Sequence, residues 1–245
     1  GFVGEAVCTL LAERGWQVRR AVRTARQADD IAVGDIGPDT DWRRPLDGAT
    51  AVVHLAARTH VLNDTAQDPM AAYRRVNVEG TARLVEAARK AGIERFVFMS
   101  SIKVNGEVTH GTPFTADTPP RPEDAYGITK REAEDIVRAS GLNATILRPP
   151  LVYGPGVKAN FLRLMRLTAR RFPLPLAWIN NQRSLIYVGN LADAVAACLA
   201  HPSAAGKTFL IRDAEQPSTP ELIRSIAKAL GVRSEEHTSE LQSRF

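Results

Sequence analysis

Ala51–Ala57, AVVHLAA, is a nearly unbroken apolar run with two adjacent β-branched residues, Val52 and Val53. A run this short and this apolar fits a strand buried on both faces, as in a parallel sheet. Working outward from it, strands and helices alternate. Towards the N-terminus, Val18–Val22 reads as a short strand. Before it, Val3–Arg14 carries apolar residues at Val3, Val7, Leu10 and Leu11, the spacing of a helix, which Gly15 stops. Towards the C-terminus, Asp68-Pro69 opens a long helix, with a side-chain oxygen to cap it and a fixed φ to start it. Val76, Gly80, Leu84 and Ala87 keep one face of that helix apolar until Gly92. Arg95–Ser101, RFVFMSS, is the next strand. An irregular loop over 103–123, rich in Gly, Thr and Pro, leads to a helix from about Glu123 to Ala139, and ATILRPP follows as a strand that Pro149-Pro150 ends.

Strands separated by helices of this length imply βαβ units and a parallel sheet. Right-handed crossovers then give an α/β fold, a doubly wound parallel sheet of the Rossmann type. After Gly156 the pattern changes. Helices are expected over Ala159–Arg170, Leu191–Leu199 and Thr219–Leu230, strands over Leu185–Val188 and Thr208–Arg212, and a Pro-rich irregular stretch over Arg171–Asn181. The expected organisation is a dinucleotide-binding domain over 1–156, to which 184–213 returns, and a smaller substrate lobe from 157–183 and 214–232. Gly1 falls inside a recognisable pattern, so the first strand is expected to precede it. Residues 233–245, beginning RSEEHTSELQS, read as the translation of a sequencing-library adapter and are set aside as a non-native tail.

The 245 residues are 44% hydrophobic and 24% charged, which excludes global disorder and permits a sizeable core. Two cysteines, Cys8 and Cys198, make neither a disulfide framework nor a CxxC metal site, in keeping with a reduced, cytoplasmic compartment. No apolar stretch approaches the roughly 18 residues that span a bilayer, so membrane insertion is not expected. The net charge of +5 is scattered apart from Arg19, Arg20, Arg23 and Arg26. Without aromatic interleaving it fits a phosphorylated ligand better than nucleic acid. His54 and His60 lack a third ligand at metal spacing, so a structural or surface role is expected and no metal.

The first four residues, GFVG, put glycines at i and i+3 where a helix starts. Backbone N–H groups at such a terminus carry partial positive charge and suit a pyrophosphate. Arg23, at the tip of the next strand, is where a dinucleotide fold meets the adenosine ribose. An acid there prefers the free 2′-hydroxyl and an Arg accommodates a 2′-phosphate, so Arg23 tilts the expectation towards NADP over NAD. Tyr126 and Lys130 in YGITK stand at i and i+4, on one face of one helix. An ammonium beside a phenol stabilises the phenolate, so the phenol is expected to become more acidic than its usual pKa near 10. Ser101 sits at the carboxyl end of a parallel strand, where ligands of open sheets bind, and its hydroxyl can donate to a substrate oxygen. Ser101, Tyr126 and Lys130 together are the expected catalytic group.

With these motifs on the page, the chain resembles the extended short-chain dehydrogenase/reductases, within the NAD-dependent epimerase/dehydratase family. GFVG resembles the end of their TGxxGxxG turn, and VVHLAA, VNVEGT, FMSSIKVNG, YGITK and RPPLVYGPG match their later motifs in order. The resemblance implies cofactor contacts from Gly1, Phe2, Val3, Gly4, Asp35, Ile36, Leu55, Ala56, Ala57, Asn77 and Pro149, with Lys130 on the nicotinamide ribose. It implies hydride exchange at a sugar carbon, with Tyr126 moving the proton and Ser101 polarising the same oxygen. Asn160 in KANF and Arg183 in NQRSLIYV resemble residues that hold the nucleotide diphosphate.

Departures narrow the expectation. Asn105 replaces a usual Tyr, Leu151 a common Asn, and Asn190 a usual Asp. Ser101 is followed by Ile102 and Lys103 where dehydratases carry an acid pair, which disfavours 4,6-dehydration. The branch resembled is that of UDP-N-acetylhexosamine 4-epimerases and 4-keto-sugar reductases of polysaccharide synthesis. The implied function is C4 epimerisation of a UDP-hexose or UDP-N-acetylhexosamine with NAD or NADP, in a homodimer. An NADPH-dependent UDP-4-keto-6-deoxy-sugar reductase and a non-catalytic NAD(P)-binding sensor or scaffold are the alternatives.

Overall fold

The computed structural model describes residues 1–59, 66–109, 111–170 and 179–232, with 159 and 160 described by backbone alone. These residues divide into two units, one made essentially of Val3–Pro150 and Gly189–Ile211, the other of Leu151–Val188 and the chain from Arg212. His60 lies outside the described residues, as does most of the Arg171–Asn181 stretch.

The first unit opens with helix α1 (Phe2–Glu13), then strands β1 (Arg20–Val22) and β2 (Asp30–Ala32), a short helix α2 (Arg43–Leu46) and strand β3 (Ala51–His54). Helices α3 (Pro69–Arg74) and α4 (Gly80–Lys90) follow, joined without a break by a π-helical turn over Arg75–Glu79. Strand β4 (Arg95–Met99), helix α5 (Ala125–Ala139) and strand β5 (Ala144–Arg148) complete the central motif. In the second unit come β6 (Leu151–Tyr153), α6 (Ala159–Ala169) and β7 (Leu185–Tyr187). Helix α7 (Val188–Ala200) and strand β8 (Thr208–Leu210) return to the first unit, and α8 (Thr219–Ala229) belongs to the second.

Every strand pairing is parallel: β1 with β2, then β3-β4-β5-β8 as one sheet, and β6 with β7. This is an α/β fold of the doubly wound class. On one face of the main sheet, Phe96, Phe98, Ala144 and Ile146 pack with Leu84, Val85 and Ala88 of α4 and Ala133 and Val137 of α5. The alternate residues Val97 and Leu147 are just as buried, at 1% and 0% exposure, so the second face is covered too. An ion pair between Arg14 and Asp193 ties α1 to α7.

Local chemistry sets the boundaries. Asp68 accepts the Ala71 N–H with Pro69 at the first helical position, and Ser218 forms a capping box with Glu221. Three elements were not expected: the three-residue strands β2 and β6 and the one-turn helix α2, each too short to show a period. The expected two-sided burial of AVVHLAA needs correction. Ala51–Val53 are only half-buried, because β3 is the edge of its four-stranded sheet, and the strand ends at His54. Among the described residues no helix is long and apolar enough to cross a membrane.

Candidate active site

Strand β4 delivers Ser101 two residues beyond its carboxyl end, and Asp124 starts α5 by capping the Gly127 N–H at 2.7 Å. The cap fixes the first turn of α5, which carries Tyr126 and, one turn later, Lys130. Ser101 has extended backbone and caps its own short 3-10 turn, Ile102–Val104, by accepting the Lys103 N–H at 3.3 Å. Its side chain also hydrogen-bonds the Tyr126 phenol. Two of the three expected catalytic side chains are therefore neighbours, with Ser101 acting on the phenol. Lys130 lies buried on the same helix, its ammonium 4.2 Å from the centre of the Phe98 ring.

The expected acidification of the phenol does not occur in this structure. Burial pushes Tyr126 up to about 12, with the Asp124 charge and the Tyr73 phenol acting in the same direction and the Ser101 hydrogen bond against them. Burial likewise pushes the Lys130 ammonium down to about 7, opposed by Glu134. Lys130 is fully buried and Tyr126 partly so, and desolvation disfavours the charged form of each. Adjacency in sequence showed the partners but not the dryness of their surroundings.

Behind these residues lies a polar lattice that motif reading did not reveal. Asn77 is buried on the π-helical turn. Its Oδ1 accepts the Arg58 N–H at 2.8 Å, and its Nδ2 donates to Arg58 O at 3.1 Å and to Thr129 Oγ1 at 3.0 Å. Both amide hydrogens thus go to the protein, and Asn77 fastens the segment after β3 to the helix that carries Tyr126. Thr81 donates its hydroxyl proton to Asn77 O at 2.7 Å, so the 3.0 Å contact with His54 Nε2 requires that nitrogen to be the donor. His54 is neutral, and burial with the Lys130 charge holds its pKa down to about 3. Its role is structural, as expected. Among the described residues no group of three or more His, Cys, Asp or Glu is placed to hold a metal.

A second buried set comprises Glu134 and Arg148. Arg148 donates Nε and Nη2 to the two carboxylate oxygens at 2.8 and 2.6 Å. Ser100 donates to Oε1 at 2.6 Å, and Arg148 Nη1 reaches Asn105 Oδ1 at 3.0 Å. Burial opposes the Glu134 charge, but the bonds from Arg148 and Ser100 outweigh it and hold the carboxyl below its ordinary range. Asn105, a departure from the resembled motif, is therefore the partner of a buried guanidinium.

The chain matches the family model described as the NAD dependent epimerase/dehydratase family over residues 1–211. The chain belongs to that family. It is 45% identical over 240 residues to a UDP-glucose 4-epimerase of Vibrio cholerae, covering 94% of this chain and 73% of the relative. It is 32% identical over 203 residues to a ceramide reductase of Caulobacter vibrioides, covering 78% of this chain and 56% of the relative. The solved structure of MoeE5 in complex with UDP-glucuronic acid and NAD superposes with a TM-score of 0.81 at 29% identity, covering 95% of this chain and 80% of that one.

The family uses NAD, and α1 fits it. This twelve-residue helix starts at Gly1 without a side-chain cap, and a Cβ added at Gly1 would meet nothing within 4 Å. The N–H groups of its first turn carry the partial positive charge that suits a pyrophosphate. Leu55 packs near Gly4, its Cδ1 3.8 Å from where a Cβ would stand. At the tip of β1, Arg23 pairs with Asp35 at 2.6 Å, both well exposed. Ile36 leans instead on Gly80, where an added Cβ would meet it at 2.5 Å. Ala56 is exposed, Ala57 half-buried, and Pro149 receives the Ile102 N–H on its carbonyl at 3.0 Å.

The second unit holds the other two expected residues. The Asn160 side chain lies outside the described residues. Arg183 donates Nε to Thr219 Oγ1 at 2.7 Å, and its N–H to Pro217 O at 3.0 Å. Its guanidinium is thereby held at the N-terminus of α8. Tyr153 stacks on Phe161 and donates to Asp213 Oδ2 at 2.9 Å.

Proposed function

We propose that the chain is the catalytic core of an NAD-dependent nucleotide-sugar epimerase acting at C4 of a UDP-hexose or UDP-N-acetylhexosamine. The observation that carries this reading is the Ser101–Tyr126 contact one turn before a buried Lys130, in a chain 45% identical to a UDP-glucose 4-epimerase. MoeE5, with UDP-glucuronic acid and NAD, supports a UDP-linked sugar as the ligand class.

A bound nicotinamide would supply the hydride-transfer chemistry, taking up the hydride of the sugar carbon and giving it back to the other face of the ring. Tyr126, as its phenolate, takes the proton of the C4 hydroxyl and, as the phenol, later gives it back. Ser101 donates to the same oxygen and steadies the charge that develops on it. Lys130 holds the nicotinamide ribose, and the N–H groups at the start of α1 hold the pyrophosphate. Gly1, Phe2, Val3, Gly4, Leu55, Ala56, Ala57 and Pro149 line the cofactor, while Asn77 acts on it indirectly through Arg58 and Thr129. Arg183 and Asn160 take the substrate's diphosphate, for which a planar guanidinium is suited. A homodimer belongs to the same reading.

Interconversion of UDP-glucose with UDP-galactose, and of their N-acetylamino counterparts, followed by proton NMR in the presence of NAD, tests the proposal. Tyr126→Phe is expected to lower kcat by about 10²–10⁴-fold. NADPH consumption with a UDP-4-keto-6-deoxy sugar and no interconversion would replace it with the reductase. Unchanged epimerisation in Tyr126→Phe would remove the phenol from the chemistry.

A further inference from the structure

Lys103 touches Ser101 and the first turn of the helix that carries Tyr126. Its N–H donates to Ser101 Oγ at 3.3 Å. Its ammonium reaches Asp124 Oδ2 at 2.6 Å and Glu107 Oε1 at 2.8 Å. Its carbonyl lies against the first turn of α5, 2.7 Å from where a Cβ on Gly127 would stand. Only glycine allows that approach, so the turn carrying Ser101 and the turn carrying Tyr126 meet backbone to backbone. Asp124 supplies the other half of the joint: Oδ2 takes the Lys103 ammonium, and Oδ1 caps α5 through the Gly127 N–H.

We propose that the Lys103–Asp124 ion pair is a positioning device for the proposed acid–base site: it clasps the Ser101 turn to the Tyr126 helix and offsets the charge of the carboxylate that caps that helix. This rests on the assignment of Tyr126 as the proton-transfer group. The position matters chemically, because Lys103 stands where dehydratases of the resembled group carry an acid. A cation there offsets Asp124, whereas an acid would add to it.

The groups that face the phenol come from three elements. Asp124 at the head of α5 and Tyr73 of α3 raise it, while Ser101 after β4 lowers it. Lys130 follows one turn later on α5. Tyr73 is itself fixed, donating to Thr59 O at 2.8 Å beneath the Arg58 guanidinium, 5.4 Å from its ring. Lys103 is thus a cation paired directly with a carboxylate that acts on Tyr126. Without it, the Asp124 charge is offset less, and the phenol holds its proton more tightly.

The test compares Lys103→Met, Lys103→Arg, Asp124→Asn and Lys103→Met/Asp124→Asn in the full chain. Asn caps a helix about as well as Asp, so α5 keeps its start in the Asp124 variants. Lys103→Met is expected to lower kcat about three- to tenfold near pH 7, to leave KM within about twofold, and to shift the alkaline-rising limb of the pH profile upward. Lys103→Arg is expected to keep the wild-type profile, and the double variant to return the limb to its wild-type position.

The phenol is also read without turnover, by fluorine NMR of protein carrying 3-fluorotyrosine, whose ring ionises at lower pH. Loss of its resonance in Tyr126→Phe assigns it. A rise in its titration in Lys103→Met, cancelled in the double variant, supports the proposal even where epimerisation fails. An unmoved titration in Lys103→Met, or the same rise in the double variant, overturns it. Failure of the functional reading shows separately, as unchanged turnover in Tyr126→Phe.

Discussion

Two carboxylate–guanidinium pairs in the first unit stand at opposite ends of the solvent scale. The Glu134 and Arg148 side chains are 0% and 2% exposed, whereas those of Asp35 and Arg23 are 80% and 77% exposed. The buried pair joins α5 to β5, with Ser100 and Asn105 completing its hydrogen bonds. It sits directly behind Ser101 and one turn beyond Lys130, so it determines where both of those residues stand. The exposed pair joins a strand tip to a loop and competes with water at both ends. A fixed, dry pair shapes a site, while a wet one is free to trade its partner for a ligand.

Breaking the dry pair is the largest effect expected. Arg148→Met leaves the Glu134 carboxylate buried with Ser100, Arg138 and the more distant Arg131 beside it. Removing one partner of a buried pair costs about 3–5 kcal/mol. Urea unfolding followed by circular dichroism measures it, and the Glu134→Leu/Arg148→Met double variant is expected to recover most of the loss. A loss below about 1 kcal/mol would place this pair with the surface ones.

Acid sharpens the contrast next. His54 is neutral in the fold with a pKa near 3, against 6.5 for an unconstrained imidazole. Between those values the unfolded chain binds the proton and the fold does not, so stability falls as pH drops from about 6.5 towards 3. One proton gives a slope of at most about 1.4 kcal/mol per pH unit. His54→Gln, which keeps a donor for Thr81, is expected to flatten that part of the melting-temperature curve. An unchanged slope would mean that the imidazole is already wet.

The same contrast separates what sequence could show from what it could not. RFVFMSS, YGITK and ATILRPP are local patterns, and they set β4, α5 and β5 to within a few residues and singled out Ser101, Tyr126 and Lys130. Glu134 and Arg148 have no local signature, because their pairing exists only once a helix lies on a strand. Charged residues on an amphipathic helix read as solvent-facing until the fold turns one inward. The phenol differed for a related reason: Lys130 was legible as a neighbour on the helix, but the burial that raises the phenol was not. Asn77 was legible as a site residue, yet its work through Arg58 and Thr129 depends on a π-helical turn that no spacing rule shows. The strands β2 and β6 were missed because three residues cannot establish a period.

The smallest stability effect belongs to the wet pair, and there the informative readout is selectivity. Arg23→Ala is expected to change stability by less than about 1 kcal/mol, since an exposed ion pair contributes little. The dinucleotide rule gives an Arg to a 2′-phosphate and an acid to a free 2′-hydroxyl, and this tip carries one of each, 2.6 Å apart. Their charges cancel, so wild-type preference between NAD and NADP is expected to be slight. Asp35→Asn releases Arg23 from its partner and removes the charge that repels a phosphate. It is expected to raise the kcat/KM ratio of NADP to NAD about tenfold, the size of one charge-assisted hydrogen bond. Arg23→Ala should move the ratio the other way, and added salt should shrink both shifts because the tip is solvated. If both variants leave the ratio where it was, the ribose is read by another part of the chain, and the Arg23–Asp35 pair is only a surface contact.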